Sequence, residues 1–201
     1  MRDGAGAGHD ANAQAALDLL ARRKSAKPLT MTGPGPSAAE LDRLLTLASR
    51  VPDHGKLAPW RFIVFEGDAR ARAGEIFAQA FAARHSGASA EQLDLERKRF
   101  QHAPLVIAVV SHVRPHPKIP EFEQLLSAGN VAFNIVNGAY ALGFAAQWVT
   151  RWYAYDETAA RMLGAEEGER FVGFVHIGTP TATIEDRPRP ALEDVVSSWR
   201  G

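Results

Sequence analysis

EFEQLLSAGNVAFNIVNGAYAL, from Glu121 to Leu142, is the stretch on which the architecture turns. It contains no proline. Apolar or small residues stand on nearly every face, through Leu125, Leu126, Ala128, Val131, Ala132, Ile135, Val136 and Ala139. A helix with only a narrow polar face is a buried helix. In a chain of 201 residues, covering such a helix all round calls for a second subunit. Glu121 and Glu123 open it where the macrodipole favours acids, and Gly143 provides the stop.

Toward the C-terminus, Phe144–Val149 reads as a strand, Asp156 caps a short helix ending at Leu163–Gly164, and Phe171–Ile177 is the last strand. The tail from Thr179 carries Pro180, Pro188 and Pro190 and ends near Trp199. Toward the N-terminus, Leu105–Val110 is an apolar run between Pro104 and a loop rich in His and Pro, which predicts a buried strand. Ser89 with Gln92 starts a helix running to about His102. Asp68–Ala83 is a helix with Ile76, Phe77, Ala80 and Phe81 inward, and Arg61–Phe65 a strand dense in β-branched and aromatic residues. Ser37 and Glu40 have capping-box spacing, and Leu41, Leu44, Leu45 and Ala48 then fall on one helix face. Pro28–Pro36 and Pro52–Pro59 are loops, and Ala15–Arg22 is a short helix. Strands and helices mix without strict alternation and helices outweigh strands. The fold class is therefore α+β, a mixed sheet flanked by helices. Residues 1–14 are expected to be a mobile start and 15–201 a single domain, since no repeat or linker divides the chain.

Lys plus Arg and Asp plus Glu number 23 each, so no global attraction to nucleic acid or anionic membrane is expected. The absence of cysteine excludes disulfides, thiolate metal sites and cysteine nucleophiles. No apolar run is long enough to span a bilayer, and the first residues lack the apolar middle of a signal peptide, so the cytoplasm is the default location. Gly4, Gly6 and Gly8 follow no strand and make no dinucleotide fingerprint. His112 and His116 have a metal-ligand spacing, but Pro115 and Pro117 keep them off a regular helix. No metal site is expected.

Chemistry resides in the loops. Arg22-Arg23-Lys24-Ser25-Ala26-Lys27 packs cations and a hydroxyl between a helix and a Pro-rich loop. It reads either as an anion cradle or as a solvated basic run. Val51-Pro52-Asp53-His54-Gly55-Lys56-Leu57-Ala58-Pro59-Trp60 is a stiff loop that either presents His54 to a ligand or merely turns the chain into a strand. Gly143-Phe144-Ala145-Ala146-Gln147-Trp148-Val149-Thr150 is a strand end whose backbone N–H groups can bind an anion, or whose Trp148 is core.

Taken together, these segments, the long helix and the late V-G-F-x-x-I-G-T-P strand resemble the FMN-dependent nitroreductase family, and in particular its small members. The likeness runs from about Ala15 to Pro180, and the P-D-H…P-W loop is its most specific element. The resemblance implies an intertwined homodimer with two FMN sites at the interface; the C-terminal tail is expected to wrap the partner. Reduced NADH or NADPH would deliver hydride, and a nitroaromatic, quinone or related small molecule would then accept it in the same pocket by a ping-pong mechanism. It implies that Arg23 and Ser25 hold the FMN phosphate and ribityl chain, that Lys24 also contacts the cofactor, and that Lys27 lies near the pyrimidine edge. Pro52, Asp53, His54, Gly55 and Leu57 belong to the loop reaching the cofactor from the other subunit, while Trp148, Val149 and Thr150 close over it. Val149 stands where small members often carry Arg, which moves a phosphate contact to Arg151 or Arg22. Ala58 stands where Gln is common. Because hydride passes between nicotinamide and flavin, no residue is nominated as catalytic. The alternative reading is a non-catalytic, flavin-sequestering homodimer on the same fold.

Overall fold

A computed structural model of the chain describes residues 6–201. In order, the elements are α1 (Gly6–Arg22), β1 (Met31–Thr32), α2 (Ala38–Ala48), β2 (Trp60–Glu66), α3 (Asp68–Arg84), α4 (Ala90–Arg97), β3 (Leu105–Ser111), α5 (Glu121–Ala141), β4 (Ala145–Val149), α6 (Glu157–Met162), β5 (Arg170–Pro180) and α7 (Leu192–Val195). The capping boxes that start α2 and α4 both close: Ser37 and Ser89 accept from the backbone of Glu40 and Gln92, whose side chains reach back to the cap N–H groups.

The sheet follows the order β1-β5-β3-β2, with β4 also on β5. The expected α+β class with flanking helices is present. Every pairing among the described strands is antiparallel, however, where a mixed sheet was expected. Local alternation decides which side chains face which layer, but strand direction is set by long-range pairing, so the sequence left it open. β3 is buried along its whole length and alternates between two cores. Val106, Ala108 and Val110 pack with Phe77, Phe100, Tyr153 and Phe174 under α3 and α6. Leu105, Ile107 and Val109 pack with Leu44, Val131 and Ile135 under α2 and α5.

Several boundaries differ from the sequence reading. α1 reaches back to Gly6 instead of starting at Ala15; its first turns, with Gly6, Gly8, Asp10 and Asn12, have neither the propensity nor an apolar period to announce it. Residues 6–14 of the expected mobile start thus lie in this helix, and residues 1–5 lie outside the described residues. α4 stops at Arg97 rather than near His102, and Lys98 to Ala103 forms turns. That corner is held from outside by Arg70, which donates to the carbonyls of Ala103 at 2.6 Å and Gln101 at 3.5 Å. β1 is a two-residue strand inside what reads as a loop, too short to carry a pattern. β5 runs on to Pro180, and the tail includes the single turn of α7.

α5 is 21 residues long and buries one face: Gln124, Ser127, Ala128, Val131, Ala132, Ile135, Val136 and Ala139. Its other face leaves Phe122 68%, Leu126 52%, Phe133 44% and Leu125 41% exposed. A single chain therefore does not cover this helix all round. Adjacent exposed large apolar residues mark an interaction surface.

Candidate functional site

The basic segment runs along the sheet edge. The backbone N–H of Ala26 donates to the carbonyl of Ala146 in β4 at 3.1 Å, and the Ala26 side chain is buried with Met31, Ala103 and Ala145. Alternate residues then face opposite ways. Arg23 Nη1 donates to Ser25 Oγ at 3.4 Å, so this pair shares one side. Lys24 turns away, and its Nζ donates to the carbonyl of Ile184 at 3.0 Å. On that side a cleft of about 330 Å³ lies between Arg22, Lys24, Tyr140 and the tail residues Pro180 to Ile184. Arg22 is occupied by Asp18 at 3.5 Å. Lys27 is exposed and precedes a short 3₁₀ turn. No carboxylate pairs with Arg23, Lys27 or Arg151 among the described residues.

The loop from Pro52 to Leu57 is built quite differently. Asp53 spends both carboxylate oxygens on its own loop: Oδ1 accepts from Leu57 N at 3.1 Å and Oδ2 from Ala58 N at 2.8 Å. These bonds fix a backbone with positive φ at Gly55 (72°), Lys56 (56°) and Ala58 (46°). Such a conformation is costly at the non-glycine positions and needs outside support. At Gly55 a Cβ would lie 2.4 Å from Ile119 Cδ1, so the loop sits directly on the segment leading into α5. Ser127 Oγ donates to Pro52 O at 2.6 Å, and His54 Nδ1 meets Glu123 Oε2 at 2.8 Å. The loop is thereby bound to the first turns of α5, with His54, Gly55 and Lys56 exposed.

The strand end is the third segment. Trp148 is 38% exposed, which removes the core alternative left open above. Its Nε1 donates to Val172 O at 3.2 Å, and its ring lies against Gly173, where a Cβ would fall 2.1 Å from Nε1. Val149 is half-buried and Thr150 exposed. Arg151 follows at the surface. Nearby, burial first and then His102 and Arg151 press the pKa of His176 down to about 3. That buried imidazole has an unpartnered Nδ1. His102 is likewise held below its usual value, by burial and then by Arg99, Lys98 and Arg151.

The geometry brings the first and third segments together along β4, and separates the second. The loop is tied to α5 at Glu123 and Ser127, whereas the basic segment borders α5 at Tyr140. From Glu123 to Tyr140 a helix advances about 25 Å.

The model of the nitroreductase family matches residues 20–179. The chain belongs to the nitroreductase family. YdjA of Escherichia coli (strain K12), provisionally named an NAD(P)H nitroreductase, is 33% identical over 82% of this chain and 88% of its own. A Haemophilus influenzae protein with the same provisional name is 36% identical over the same shares. Among solved structures, a nitroreductase-like family protein from Bacillus cereus has a TM-score of 0.81 at 22% identity, over 92% of this chain and 96% of its own. The FMN-dependent nitroreductase NfnB of Mycobacterium smegmatis, solved in complex with NADPH, has a TM-score of 0.71 at 20% identity, over 94% of this chain and 100% of its own. At these identities the two structures speak for the nitroreductase fold alone.

One polar centre escaped the sequence reading. Glu169 has a side chain only 1% exposed. It accepts from Arg61 Nε at 2.7 Å and from Arg61 Nη2, meets His112 Nδ1 at 3.0 Å, and accepts from Glu166 N at 2.7 Å. The Arg61 hydrogen bonds first, then the Glu166 and His112 bonds, outweigh burial and hold its pKa down at about 2. This clamp locks the start of β2, which follows the Pro52–Pro59 loop, to the start of β5. His112 and His116 are loop residues as expected, and no group of side chains suited to a metal occurs among the described residues.

Proposed function

We propose that this chain is a cytoplasmic, homodimeric FMN-dependent oxidoreductase that transfers hydride from NADPH or NADH to a nitroaromatic, quinone or related small acceptor in a ping-pong cycle. The observation that carries the reading is the separation along α5. The basic segment and the Pro52–Leu57 loop both match flavin-contacting elements of the family, yet in one chain they border opposite ends of α5, at Tyr140 and at Glu123, an axial rise of about 25 Å. Two chains packed antiparallel through the face of Phe122, Leu125, Leu126 and Phe133 would put the loop of one beside the basic segment of the other. On this reading the tail beyond Glu185, exposed throughout, packs on the partner.

The residues present fit the cofactor. Arg23 and Ser25 form a donor pair with no acid nearby, suited to a phosphate, and Lys27 is an unpaired cation within reach of a second anionic region. When bound, FMN would supply the redox chemistry, accepting and releasing the hydride. The chain's own part is to grip and orient. Arg23 and Ser25 hold the phosphate, with Arg151 or Thr150 closing from the strand end. Lys27 favours negative charge on the pyrimidine edge. The partner's loop, held rigid by Asp53, presents His54 and Leu57 and narrows the opening to water.

The test is spectroscopic. Purified or FMN-reconstituted protein is yellow, bleaches anaerobically with NADPH or NADH, and regains its colour when a quinone or nitroaromatic is added. Flavin that binds but never bleaches supports the sequestering alternative, and colourless protein without affinity for FMN overturns the proposal.

A further inference from the structure

Lys24 lies between the two residues assigned to the phosphate, so composition alone makes it a third ligand. The contacts say otherwise. Its ammonium is spent on the carbonyl of Ile184, 160 positions later in the chain. Ile184 in turn rests on the small buried cluster of Ala26, Met31, Ala103 and Ala145. The same stretch is fastened twice more: Thr181 N donates to Thr30 O at 3.0 Å, and Thr179 Oγ1 donates to Pro34 O at 2.7 Å. The chain from Thr179 to Ile184 therefore crosses the basic segment as a strap. Lys24 is its buckle, on the side opposite Arg23 and Ser25.

We infer that Lys24 is a positioning residue, fixing residues 179–184 behind the Arg23–Ser25 cradle, rather than a ligand of the cofactor. This rests on the FMN reading above. Ala26 is bonded to β4 and buried in the cluster on which Ile184 rests, so the segment that carries Arg23 and Ser25 is fixed at its centre. A cradle ordered before binding loses less entropy when the anion arrives. Removing the buckle should thus weaken FMN binding through the strap.

Substitutions in the full-length protein separate the two roles. Lys24→Met and Ile184→Ala should each weaken FMN by about three- to tenfold, the scale of one hydrogen bond or one partly buried side chain. Ile184→Ala keeps the carbonyl that Lys24 meets and removes only the side chain resting on the buried cluster, so it loosens the strap by a second, separate route. Lys24→Arg, which can still donate to the carbonyl, should restore near wild-type affinity. Hydrogen exchange in Thr181–Glu185 should quicken in Lys24→Met even without FMN, a change that loss of a phosphate ligand would not produce. Unchanged exchange in Lys24→Met would overturn the inference and return Lys24 to the cofactor. If no variant, wild type included, binds FMN, the functional reading fails instead.

Discussion

Glu169→Gln tests the clamp beneath the site. The substitution keeps the size of the side chain but removes the charge that Arg61 and His112 face. The carboxyl's pKa falls from an ordinary 4.5 to about 2 in the folded chain. That difference corresponds to about 3 kcal/mol of pairing, and the partial exposure of Arg61 and His112 lowers the expectation to about 2–3 kcal/mol. Since the folded pKa is depressed, the contribution is complete above about pH 5 and disappears as the pH falls toward 2. Urea unfolding at a fixed protein concentration should show Glu169→Gln destabilised by that amount at pH 7. The gap should narrow steadily between pH 5 and pH 3 as the wild type loses what the variant never had. A gap that keeps its size down to pH 3, or no gap at pH 7, would refute the assignment of the buried charge.

Further outcomes concern the site itself. Arg23→Ala and Ser25→Ala should each weaken FMN by roughly ten- to a hundredfold in fluorescence titrations, with the guanidinium the larger loss. Asp53→Ala leaves the N–H groups of Leu57 and Ala58 without their acceptor and releases the positive φ of Lys56 and Ala58. It should weaken FMN about tenfold while shifting the unfolding midpoint only slightly, because the loop is surface-exposed. Leu126→Asp, on the open face of α5, should give a monomer by sedimentation and with it loss of flavin.

What the sequence made legible was local. Ser37–Glu40 and Ser89–Gln92 carry their caps within one turn, β3 is an uninterrupted apolar run, and α5 combines length with apolarity on more faces than one chain covers. The family resemblance likewise rested on short contiguous motifs. What stayed hidden depends on contacts between distant residues. Glu169 finds Arg61 across 108 positions and Lys24 finds Ile184 across 160, and nothing in either neighbourhood announces the partner. α4 ends early because Arg70 captures the following turn from another helix. Asp53 was legible only as part of a stiff loop; its two bonds to its own backbone appear only once the chain has turned.

The shared site is tested most directly by mixing two defective proteins. Arg23→Ala breaks the cradle, and the double variant Asp53→Ala/His54→Ala breaks the loop. Unfolded together and refolded at equal amounts, they should pair at random. Each mixed dimer then holds one intact site, so about a quarter of wild-type FMN binding and turnover should return. Recovery no greater than the sum of the two variants alone would mean that each chain builds its site by itself.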